Sequence, residues 1–103
     1  MRTYSGVSRT SRGKFTGEFD IDGRELKFSG TIEGLQGYDF GGGTKLTFTR
    51  ASPPQGKMSF VGPVGPASFL LSMDENAVTL AGQFPHKVRM GDISGEITWQ
   101  WAD

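Results

Sequence analysis

The chain contains no cysteine among its 103 residues, which excludes disulfide scaffolds, thiolate nucleophiles and Cys-based zinc sites. It has one histidine, His86, too few for a histidine-based metal cluster. It has no excess of charge either: eleven basic and eleven acidic side chains cancel. A dedicated nucleic-acid binder needs a strong phosphate footprint, so nucleic acid is not the expected partner. No apolar run approaches the ~20 residues of a membrane span. The opening Met1-Arg-Thr-Tyr-Ser-Gly-Val-Ser-Arg9 lacks the apolar stretch of a signal peptide, which makes the cytoplasm the expected compartment. No segment carries an apolar stripe at helical spacing, and no cofactor or metal follows from the composition.

What the chain has is glycine: sixteen residues, about twice the average usage of about 7%. They do not form a low-complexity tract but punctuate short alternating segments rich in Phe, Ile, Thr and Val, the pattern of strands and turns. Strands are predicted over 14–22, 24–33, 43–50, 57–62, 67–73, 77–84 and 92–101, with a weaker first strand over 3–8. Asp74-Glu75-Asn76 reads as a hairpin loop, and the proline-containing stretches 52–56 and 62–66 read as loops or edge breaks. At this length there is one core and one domain, spanning 1–103. The expected fold is all-β: a small antiparallel meander of seven or eight strands, closed as a barrel or flattened into a sandwich. Charge is uneven along it. Arg2, Arg9, Arg12 and Lys14 stand in the first fourteen residues with no acid among them, so 1–13 reads as a basic arm or a first strand on an acidic body.

Two pairs of segments resemble each other. Phe15-Thr-Gly-Glu-Phe19 precedes Phe28-Ser-Gly-Thr-Ile32 as Leu80-Ala-Gly-Gln-Phe84 precedes Ile93-Ser-Gly-Glu-Ile97. Packing demand on two similar hairpins explains this better than duplication, since glycine is abundant and the match short. For the first hairpin, a type II′ turn with Gly23 at its first central position pairs Ile21 with Leu26, Phe19 with Phe28 and Gly17 with Gly30. The alternative, Asp22-Gly23 as the loop, sets Ile21 against Arg24 and mixes apolar with charged on one face. By the same symmetry the second pair sets Leu80 against Ile97, Gly82 against Gly95 and Phe84 against Ile93.

Each hairpin then carries a Gly–Gly pair on its apolar face, where glycine weakens a strand by roughly 0.5–1 kcal/mol. Barrel curvature, a ring lying over the notch, or room for a ligand are the three gains that would offset this. Gly17, Gly30, Gly82 and Gly95 are therefore candidate ligand-binding positions. So are Tyr38, Asp39 and Phe40, in a stretch, 34–43, that is half glycine and offers stacking rings and one carboxylate. Trp99 and Trp101 fall on the core face of the last strand. A buried indole needs a partner for its N–H, whereas at a rim Trp101 becomes a stacking platform.

Other motifs carry less. Phe40-Gly-Gly-Gly-Thr-Lys-Leu-Thr47 resembles the joining segment of immunoglobulin light chains over eight residues, but it lies mid-chain without that family's cysteines, so membership does not follow. Asp20-Ile-Asp22-Gly23 lacks the remaining ligands of a calcium loop. Ser29 or Ser94 with His86 and Asp92 lacks a nucleophile elbow. The expected function is a non-catalytic binding module for a small, partly apolar ligand such as a lipid, a sugar or an aromatic metabolite. The alternatives are a protein-interaction domain (an inhibitor, an immunity factor or a homo-oligomer, which near-zero charge favours) and a small β-barrel isomerase or cyclase.

Overall fold

The computed structural model describes residues 2–33, 40–49, 52–84 and 87–102, and of Phe40 the backbone alone. It contains eight strands: β1 (Arg2–Ser11), β2 (Lys14–Ile21), β3 (Arg24–Glu33), β4 (Phe40–Phe48), β5 (Gly56–Val64), β6 (Ser68–Met73), β7 (Val78–Gln83) and β8 (Gly91–Trp101). Alternate residues of each strand are buried, the period-2 pattern of a sheet with one face on a core. All pairings are antiparallel, and the sheet closes as a barrel in the order β1-β2-β3-β8-β5-β6-β7-β4. Following the pairings once around returns to β1 displaced by ten residues, the stagger that closing tilted strands requires.

The all-β antiparallel fold expected from the alternation is present and closes as a barrel and not a sandwich, but the strand order is not one continuous meander. β1–β3 and β5–β7 are meanders, while β4 returns beside β1 and β8 beside β5. Each half of the chain is thus a Greek key, and the two keys meet where β3 joins β8 and β7 joins β4. Residues 2–11 are not an arm: β1 is bonded on one side to β2 and on the other to β4. Closure leaves no sheet edge open, which disposes of the liability an edge strand carries. Gly62, Pro63 and Val64, expected in a loop, continue β5. All three pair with β8, while the ladder to β6 skips Gly62 and Pro63 and resumes in register at Val64. Proline cannot donate, and here the gap falls on one side only.

The first hairpin has the register rejected on facial grounds. Ile21 pairs with Arg24, Phe19 with Leu26, Gly17 with Phe28 and Phe15 with Gly30. Asp22 and Gly23 have φ of 54° and 93°, both positive as a type I′ turn demands, and that turn matches the strand twist. Arg12 and Gly13 repeat the geometry between β1 and β2, at 53° and 81°. The objection to Ile21 facing Arg24 fails because the pair sits at the barrel rim. There the Arg24 guanidinium turns over the Trp101 ring, 4.1 Å from its centroid. The second expected hairpin does not exist: β7 pairs with β4 and β6, and β8 with β3 and β5. The four similar segments therefore share a packing role and not a hairpin.

Inside the barrel, Phe15, Phe19, Phe28, Phe60 and Trp99 form one aromatic cluster on β2, β3, β5 and β8. Phe15 meets Phe28 edge-on at 4.8 Å, and Trp99 lies 5.0 Å from Phe28. Such pairs add about 0.5–1.5 kcal/mol beyond area burial. Trp99 is 1% exposed, and among the described residues its indole N–H has no hydrogen-bond acceptor. One end of the barrel is finished by Tyr4 stacked on Phe48 and bonded through its hydroxyl to Asp22 at 3.1 Å. At the other, Phe84 packs on Phe69, and backbone bonds from Phe84 to Ala67 and from Val88 to Pro66 hold the β7–β8 connection down.

Candidate functional site

The four glycines singled out on the inward faces, Gly17, Gly30, Gly82 and Gly95, are filled positions. A Cβ on Gly17 would run into the Phe28 ring, and one on Gly82 into the Phe69 ring. On Gly95 it would strike the Thr31 carbonyl and the Phe60 ring, and on Gly30 the backbone of Glu96 and Ile97. Of the gains considered for these glycines the structure shows ring cover, and it adds close backbone approach at Gly30 and Gly95. Neither expected Gly–Gly pair forms: Gly17 faces Phe28, Gly30 faces Phe15 and Ile97, Gly82 faces Thr44 and Phe69, and Gly95 faces Ile32 and Phe60. Trp101 is half-buried against the core with Arg24 over its ring, so a stacking ligand there would compete with this chain's own guanidinium. Tyr38, Asp39 and His86 lie outside the described residues. Phe40 opens β4, its backbone opposite Thr10. Ser29 and Ser94 face outward on β3 and β8.

The inner wall of β1 and β4 differs from the aromatic side. Ser8, Thr10 and Thr44 are buried there, at 1%, 4% and 3% exposure. Ser8 and Thr44 share a hydrogen bond between hydroxyls, which offsets the desolvation of both. Among the described residues no group of three or more His, Asp or Glu side chains is arranged to hold a metal ion. No helix among them is long and apolar enough to cross a membrane.

Concave surface lies instead on the outside of this thin-walled sector. Reading across paired strands, the outward row runs from Ser5 on β1 to Lys45 on β4, Ala81 on β7 and Leu70 on β6. Beside it, Gly43 on β4 faces outward with open space around its Cβ position. The small Gly43 and Ala81, set among the longer Lys45, Leu70 and Gln83, leave a groove of about 710 Å³, lined also by Ser68, Phe69 and Gly82. That volume is within the usual range of small-molecule sites. Leu70 remains 47% exposed. Among the described residues the lining includes one cation, Lys45, and no carboxylate. Across β1 a second groove of about 410 Å³ has the opposite character, lined by Glu18, Asp20 and Glu25 together with Arg24.

Of the described residues singled out from the sequence, only Gly82 belongs to the larger groove. Lys45, Ala81, Leu70 and Gln83 were missed because they sit on strands that are neighbours in space but not in sequence. The signal available was the run of small outward positions Gly41 and Gly43 on β4, with Ala81 on β7. Family models, curated proteins and solved structures were compared with the chain. None matches it.

Proposed function

We propose that the chain is a non-catalytic binding module for a small, partly apolar ligand, and that the ligand lies in the groove over β1, β4, β7 and β6. The observation that carries this is the contrast between the filled inward positions Gly17, Gly30, Gly82 and Gly95 and an open, mixed-polarity groove. An aliphatic or aromatic body fits Leu70, Ala81 and the exposed glycine backbone, while Ser5, Ser68, Gln83 and Lys45 supply polar contacts. Sites of this kind, apolar with a few convergent polar groups, are the usual form of a small-molecule pocket.

Gly43→Val tests the reading. The position has no neighbour within 4 Å of its Cβ and no positive φ, so valine fills the groove without strain in the wall. Native mass spectrometry of the purified chain, with amide NMR titrations of 1-octanol, methyl glucoside and indole, should show bound mass or shifts at Lys45, Leu70 and Ala81. Gly43→Val should abolish them. Probes that leave those amides unmoved, on a chain that carries no added mass, refute the proposal.

A second reading, a protein-interaction surface, is favoured by Val61, Leu70 and Met90, exposed to 56%, 47% and 71%. It no longer draws on free edges or a basic arm. A concentration-dependent dimer in light scattering, dissociated by Val61→Lys, would replace the first reading with this one.

A further inference from the structure

The two grooves share Ser5, Gly6 and Val7 or flank them, yet their charges are opposed: Lys45 without a carboxylate on one side of β1, three carboxylates with one arginine on the other. We infer that the larger groove selects a monocarboxylate with a short apolar chain, its head on the Lys45 ammonium and its chain crossing Ala81 toward Leu70. This rests on the groove being the binding site. Direct pairing sets Lys45 beside Ala81 and Ala81 beside Leu70, so head and tail contacts are separated by two interstrand steps, about 10 Å in all. A chain of roughly eight carbons spans that distance. Methylenes laid on the backbone of Gly43 and on Leu70 leave water, while the carboxylate keeps one face solvated at the open groove.

A single compact ammonium matches a single negative charge. Phosphate recognition more often uses forked arginine pairs, and among the described residues no arginine lines this groove. Ser5 and Gln83 add a hydroxyl and an amide on the polar margin. The acidic groove across β1 repels the same ligand, so the two concave surfaces are distinguished by sign and not by shape alone.

The experiment compares octanoate, 1-octanol and octylammonium by amide NMR titration at low and at high salt. The wild-type chain should bind octanoate about fivefold more tightly than octanol, the scale of one exposed charge pair. That margin should shrink as salt rises, and octylammonium should bind most weakly. Lys45→Met should equalise octanoate and octanol, Lys45→Arg should restore the preference, and Gly43→Val should abolish both. Equal binding of octanoate and octanol by the wild type, still lost in Gly43→Val, overturns the carboxylate assignment and leaves the groove standing. Octanoate and octanol that both bind undiminished in Gly43→Val overturn the groove itself.

Discussion

The barrel uses glycine in two opposite ways, and comparing the two sectors of its wall shows what each is for. On β2, β3 and β8, Gly17, Gly30 and Gly95 face inward and are filled: the Phe28 ring lies over Gly17, the Phe60 ring over Gly95, and the neighbouring strand itself presses on Gly30. On β4, Gly43 faces outward onto nothing. In the first sector absent side chains let large rings pack in a small closed barrel; in the second they thin the wall and leave a groove. The same residue is core architecture in one place and open surface in the other.

Substitutions separate the sectors, and the largest effect belongs to the aromatic one. Gly30→Val should cost at least about 3 kcal/mol or prevent folding, because its side chain meets backbone that cannot rotate away. Urea denaturation followed by circular dichroism checks this, and a variant within about 1 kcal/mol of wild type would erase the contrast. Phe28→Ala should cost about 3–5 kcal/mol, since it removes the ring that covers Gly17 and contacts Phe15, Phe19 and Trp99. The polar inner wall should respond less and non-additively. Thr44→Val strands the Ser8 hydroxyl at about 1–3 kcal/mol, while adding Ser8→Ala recovers about 1 kcal/mol because no orphan remains. A double-mutant cycle measures that coupling, and strict additivity would deny the bond its role. Smallest of all is Gly43→Val, expected within about 0.5 kcal/mol of wild type while eliminating ligand binding.

Much of the barrel was legible in the chain. β3 matches its expected bounds, and β2, β6, β7 and β8 do so within a residue or two at each end, because alternation and turn residues are local signals. β1 was underweighted, since its inward positions are Tyr4, Gly6, Ser8 and Thr10 and offer no apolar face. β5 was cut short at Pro63 by a rule that holds for ladders bonded on both sides, whereas here the missing pairs lie only toward β6. The hairpin register failed because a rim position was treated as a core position, although Asp22-Gly23 pointed to the correct turn. The groove was not legible: Ser5, Lys45, Ala81 and Leu70 are spread over more than sixty residues of chain and become a row only through closure.

Local chemistry by itself therefore determined that this protein is built of short antiparallel strands and where most of them lie. Period-2 burial and the twist of a two-residue turn act between near neighbours, and those are readable from order alone. The tertiary structure decided which strands meet across the Greek keys, which ring covers which glycine, and where small outward residues gather. Those outcomes depend on contacts between distant segments, whose pairing is chosen by closing the whole barrel and not by any one hairpin.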